Sequence, residues 1–159
     1  MSIYRRFDAG EFPSLVTTNV GDRRPLFNSP TAADMLIKVL YEVRLETSFS
    51  LLAFVVMPDH VHLVLRPPSS HRLGQVIQFL KGRFSRRYNE MTGRTGPLWQ
   101  SRYHERILRS ERELVAAIEY VHGNPVAAGL AVVASGFPWS SASGQYPTDL
   151  AVYLSQAKA

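Results

Sequence analysis

Cysteine is absent from the 159 residues, which excludes disulfide staples and thiolate metal sites and leaves histidine, carboxylate and amide groups as candidate ligands. Long hydrophobic runs are missing as well. The longest apolar stretch, residues 51–57, is far too short to span a bilayer, and residues 1–12 contain no signal-like apolar run. A soluble, cytoplasmic protein with no membrane partner is therefore expected. Lysine is scarce: 15 of the 18 basic residues are arginine, whose planar fork matches phosphate oxygens. Acid is scarce where base is dense. Residues 66–112 hold ten arginines and Lys81 against Glu90, Glu105 and Glu111, a regional excess that fits either a polyanion-binding surface or plain solvation. No repeat, low-complexity tract or linker divides the chain, so residues 1–159 read as one domain, with a core over 14–141 and a short tail over 142–159.

Hydrophobic periodicity supplies the element order. A strand is expected over 15–20, ended by Gly21-Asp22-Arg23-Arg24. Met35, Leu36, Val39, Leu40 and Val43 recur at helical spacing over 31–46, after a Ser29-Pro30 start signal. Residues 49–57 are continuously apolar, and Pro58-Asp59 connects them to 60–65, which predicts a β-hairpin of two central strands. A second helix over 72–90 puts Leu73, Val76, Ile77, Leu80 and Phe84 on one stripe, with Lys81, Arg83, Arg86 and Arg87 mostly off it. A further strand is expected over 100–109. Ser110-Glu111-Arg112-Glu113 then reads as a capping box opening a third helix, which should end near residues 123–125. The order β, α, β, β, α, β, α implies an α+β fold: a ferredoxin-like antiparallel sheet with helices packed on it.

Two groups of residues could carry chemistry. His60 and His62 flank Val61 on a strand, where alternation sends both imidazoles to one face, two nitrogen ligands preset side by side. An isolated pair at this spacing is more often two ordinary strand histidines. Tyr120 and Asn124 are four apart on the third helix and project on neighbouring turns, with Tyr120 at the flank of the apolar stripe formed by Leu114, Ala117, Ile118 and Val121. A boundary tyrosine and a helix-ending asparagine fit the same pattern, and Pro125 biases Asn124 away from helical angles. His71, His104 and His122 lack partners at metal-binding spacing and stay outside the site. Trp99 and Trp139 fit packing better than base stacking.

The motifs around these residues resemble a known family. Val56-Met57-Pro58-Asp59-His60-Val61-His62-Leu63-Val64 is similar to the HUH motif of the single-tyrosine transposases of insertion sequences. Leu98-Trp99-Gln100, Glu119-Tyr120-Val121-His122-Gly123-Asn124-Pro125-Val126, Ala128-Gly129-Leu130 and Pro138-Trp139-Ser140-Ser141 resemble the REP-associated tyrosine transposase branch. The resemblance runs from about residue 15 to 141, with the motifs in the family's order.

It implies that His60, His62 and Asn124 bind magnesium or manganese. It further implies that Tyr120 attacks the scissile phosphate to give a 5′-phosphotyrosine and a free 3′-hydroxyl, and that the substrate is single-stranded DNA carrying palindromic hairpins. On that reading Lys81, Arg83, Arg86, Arg87, Arg102, Arg106 and Arg109 hold the DNA backbone. Beyond the tyrosine helix there is no long basic extension, and both a homodimer and a monomer stay open. Two other classes compete: a hairpin-binding module of the same fold that does not cut, and a small metal-dependent hydrolase in which Tyr120 is dispensable.

Overall fold

The computed structural model describes residues 12–157, so residues 1–11, most of the stretch read for a signal segment, and the last two residues of the expected tail lie outside it. Four strands form one antiparallel sheet: β1 (Ser14–Val20), β2 (Ser50–Met57), β3 (His60–Arg66) and β4 (Trp99–Ile107), in the order β2-β3-β1-β4. Four helices complete it: α1 (Pro30–Thr47), α2 (Leu73–Thr92), α3 (Glu111–Ala127) and α4 (Leu150–Ala157). The ferredoxin-like α+β arrangement and the central position of the HxH strand agree with the sequence.

Alternation along the strands divides the core into two layers. Val61, Leu63 and Leu65 join α1 and α2 on one face of the sheet. Val64, Val55 and Met57 meet Leu114, Ala117 and Val121 of α3 and Tyr153 of α4 on the other. His60 and His62 share the parity of Val64 and therefore face α3.

Four expectations need correction. First, β2 lies at the end of the sheet. It is continuously apolar because helices cover both its faces. Its outer edge is closed by residues 139–141: Val56 N–H donates to the Trp139 carbonyl at 2.8 Å, and Phe54 N–H to Ser141 Oγ at 3.0 Å. Edge strands are commonly blunted by such a cover.

Second, α3 does not stop near 123–125 but runs to Ala127 with Pro125 inside it. Pro125 is buried in the last turn, where few downstream hydrogen bonds are at stake. The stop comes at Gly129, whose φ is +74°. Leu130 N–H reaches the Pro125 carbonyl at 2.8 Å and Gly129 N–H the Val126 carbonyl at 3.0 Å, a Schellman ending.

Third, residues 142–157 are not a free tail. Asp149 accepts from Arg44 Nε at 2.8 Å and from the Leu51 N–H at 2.8 Å, fixing the start of α4 against β2. The expected capping box is also shifted by one. Ser110 Oγ accepts from Glu113 N–H, while Glu113's carboxylate takes the Arg109 N–H in place of Ser110's own.

Candidate active site

Strand pairing assembles the site. Thr17 on β1 lies opposite His62 on β3, and Asn19 opposite His60. The His62 ring is almost fully buried, 4% exposed. Burial pushes its pKa down from 6.5 to about 4, helped by the nearby His60 and Arg23, so the ring is neutral at pH 7. Its Nδ1 is 2.7 Å from Thr17 Oγ1.

His60 is held from the opposite side by Asp59, whose Oδ1 is 2.6 Å from His60 Nδ1. Burial pushes the Asp59 carboxyl up, but hydrogen bonds from Arg23 and His60 outweigh this and hold it below its ordinary value. An ionised carboxylate can only accept, so Nδ1 of His60 is the donor and Nε2 is the nitrogen that remains for a ligand. Arg23 Nε donates to Asp59 Oδ2 at 2.9 Å. It does so from a turn in which Asp22 and Arg23 both have positive φ, +56° and +52°. Two consecutive non-glycine residues in this region carry strain, which places the Arg23 side chain beneath the histidine motif.

With both Nδ1 atoms engaged, the two Nε2 atoms converge to 3.1 Å. Two donors bound at right angles to one ion at ~2.1 Å stand ~3 Å apart, so the pair fits adjacent positions of an octahedral cation. Among the described residues no group of three or more His, Cys, Asp or Glu side chains could hold a metal. A complete shell therefore needs an amide or water oxygen. Because α3 continues through Pro125, Asn124 is half-buried one turn beyond Tyr120 on the same flank.

Tyr120 meets the histidines directly. Its ring lies 5.3 Å from that of His62 at an interplanar angle of 68°, edge to face, while 54% of the residue stays exposed. A nucleophile candidate, two imidazoles and an open approach thus come together from β3 and α3 of one chain.

The basic residues do not come together as one surface. His104 and Arg106 on β4 pair with Thr17 and Leu15, which places them on the histidine face of the sheet. Arg102 and Arg109 are exposed nearby, along β4 and in the turn into α3. Lys81, Arg83, Arg86 and Arg87 belong to α2, on the opposite face. Lys81 donates to the Gln100 carbonyl at 2.8 Å, and burial pushes its pKa down. Arg83 is bidentate on Glu46 at 2.8 and 2.6 Å, and Arg87 pairs with Glu42 at 2.7 Å. These ion pairs to α1 neutralise two arginines that the sequence presented as free; Arg86 is exposed. Trp99 packs with Phe27 and Phe84, in agreement with the packing reading of a tryptophan beside a strand.

The family described as transposase, IS200 like, matches residues 15–124. The chain belongs to the IS200-like transposase family. This family member is 28% identical to the REP-associated tyrosine transposase of Escherichia coli K12, over 95% of this chain and 92% of that one. A Haemophilus influenzae protein assigned as a REP-associated tyrosine transposase is 29% identical over 58% of each chain. The solved structure of a REP-associated tyrosine transposase bound to a REP hairpin superposes with a TM-score of 0.72 at 27% identity, covering 92% of this chain and 89% of that one. A Deinococcus radiodurans transposase shares the fold, with a TM-score of 0.54 at 23% identity, 77% of this chain and 97% of that one being covered. Three of these relatives are REP-associated tyrosine transposases, the branch whose motifs the IS200-like chain resembles. The residues absent from the sequence-based site are Thr17, Asp59 and Arg23. Asp59 could have been found from its place beside His60, whereas Thr17 is 45 residues from His62 and meets it only through strand pairing.

Proposed function

We propose that this transposase-family protein cuts and rejoins single-stranded DNA beside palindromic hairpins, with Tyr120 as nucleophile. The observation that carries the proposal is the contact of the Tyr120 ring with His62, which sets a half-exposed phenol at the edge of a paired-imidazole site.

The Tyr120 oxygen forms a bond to the phosphorus of a phosphodiester as the bond from phosphorus to the 3′-oxygen breaks. The phenol gives up its proton and the departing 3′-oxygen takes one up. The 5′-phosphate stays on tyrosine, and attack by another strand's 3′-hydroxyl reverses the step, so the phosphodiester energy is kept for joining. His60 and His62 through Nε2, with the Asn124 amide oxygen, would hold magnesium or manganese. Such an ion supplies Lewis acidity at the scissile phosphate. Arg102, Arg106 and Arg109, on or beside the histidine face, would hold the backbone of the reacting strand, and Lys81 and Arg86 of α2 would contact DNA from the other face.

The test is a covalent trap. A REP-type hairpin oligonucleotide with single-stranded flanks is incubated with manganese or magnesium, and adducts that survive denaturation are counted. Wild type is expected to form an adduct and Tyr120→Phe none. Equal yield from Tyr120→Phe overturns the proposal. Cleavage without adduct would favour a water-using hydrolase, and binding without cleavage a recognition module.

A further inference from the structure

Helix α3 lies over β2 and β3 and leaves the β1–β4 half of the same sheet face open. Leu15 and Thr17 are only half-buried there, and His104 and Arg106 are exposed. Between these strands and the outer flank of α3 is a cleft of about 350 Å³, lined among others by Leu15, Thr17, His104, Arg106, Ala116 and Tyr120. Its size falls in the range of small-molecule sites. The chemistry of its walls is mixed in a specific way. Leu15 and the Ala116 methyl give apolar surface, His104 a planar ring, Arg106 a cation that can stack or pair with phosphate, Glu105 a carboxylate that accepts from Ser14 Oγ at 3.0 Å, and Tyr120 its phenol. Ala116 is exposed and small, and a larger side chain at that position would enter the cleft. His104 and Arg106 are two residues apart on an extended strand, so their side chains stand ~7 Å apart on one face, a base and a neighbouring phosphate apart.

We propose that this cleft seats the base of the nucleotide adjoining the scissile phosphodiester, with Arg106 on a neighbouring phosphate. The inference rests on Tyr120 being the nucleophile. It assigns the choice of cleavage position in part to protein contacts with one unpaired nucleotide, in addition to the hairpin. An apolar slot with a cation at its rim fits a nucleotide of single-stranded DNA, because every base has a stackable face.

The experiment maps the cleaved phosphodiester with wild type on a hairpin oligonucleotide and then places an abasic site at each flanking position in turn. One abasic position, next to the cut, is expected to lower adduct yield at least about tenfold. Ala116→Phe, which fills the cleft, should do the same, whereas Val115→Phe, on an exposed part of α3 outside the cleft lining, should not. Anisotropy binding of the metal-free proteins to the same oligonucleotides should show matching losses, and thermal melting checks that Ala116→Phe is folded. Wild-type adduct with less than twofold change for the adjoining abasic site and for folded Ala116→Phe overturns the cleft assignment and leaves the nucleophile reading intact. No wild-type adduct on any hairpin overturns both.

Discussion

His62 is a neutral imidazole in a dry place, and that gives stability a pH dependence with a definite sign. In the unfolded chain the ring takes up a proton near pH 6.5, and in the folded protein only near pH 4. Between those values the unfolded state binds more protons, so stability is full above pH 6.5 and falls as pH drops toward 4. A difference of that size is worth up to about 3 kcal/mol. Urea titrations in chelator should show this loss, and His62→Gln should remove most of it. A smaller part should persist from His122, whose pKa burial also pushes down.

The outer partners of the two histidines make a second residue-scale prediction. Asp59→Ala removes the acceptor that orients His60, and Thr17→Val the one that orients His62. Each should weaken manganese binding roughly 10- to 100-fold in calorimetry, with Thr17→Ser restoring it. Unchanged affinity in both variants would assign these contacts to packing alone. Strand alternation alone puts His60 and His62 on one face. The Arg23 turn was illegible because nothing in Gly21-Asp22-Arg23-Arg24 announces two left-handed residues.

At the scale of elements, local rules worked where they met no competitor. Ser29 caps α1, with Pro30 at its first position, and the Pro58-Asp59 connection closes the hairpin as read. They failed at α3, where Pro125 suggested an ending but the stronger stop is Gly129, four residues on. The two prolyl costs, a missing N–H and a crowded preceding turn, are tolerable in a final turn that buries the ring. That continuity keeps Asn124 in register with Tyr120. The edge position of β2 was hidden for a related reason: a strand covered on both faces and along its edge reads like a central one.

The covering segment and α4 are secured at Asp149, where the carboxylate lies below its ordinary pKa because of the Arg44 hydrogen bond and the Leu51 N–H. Asp149→Ala leaves a half-buried guanidinium and a backbone donor without their acceptor. It should cost roughly 2 kcal/mol in urea unfolding at pH 7. A cost below about 0.5 kcal/mol would mean that α4 adds little to the fold.

Seen as a whole molecule, the sheet separates two basic surfaces that one stretch of sequence had merged. Residues 66–112 run through α2 on one face and then β4, whose Arg102 and Arg106 point to the other, so a linear charge count cannot tell which arginines share the histidine face. Ion pairs to Glu42 and Glu46 then retire Arg83 and Arg87.

The same architecture decides how many chains one site needs. Tyr120 and His62 touch within a single chain, with α3 held over β2 and β3 by the buried Leu114, Ala117 and Val121. Each chain therefore carries its own Tyr120 beside its own imidazole pair. Mixing His62→Ala with Tyr120→Phe, each inactive alone, should give no adduct, because neither chain supplies both halves to one site. If α3 instead crossed to a second copy, one intact composite site would form in a mixed dimer, and adduct would return on the His62→Ala chain. Labelling the two variants with different masses makes that outcome readable on a denaturing gel, and its appearance would replace a self-contained site with a shared one.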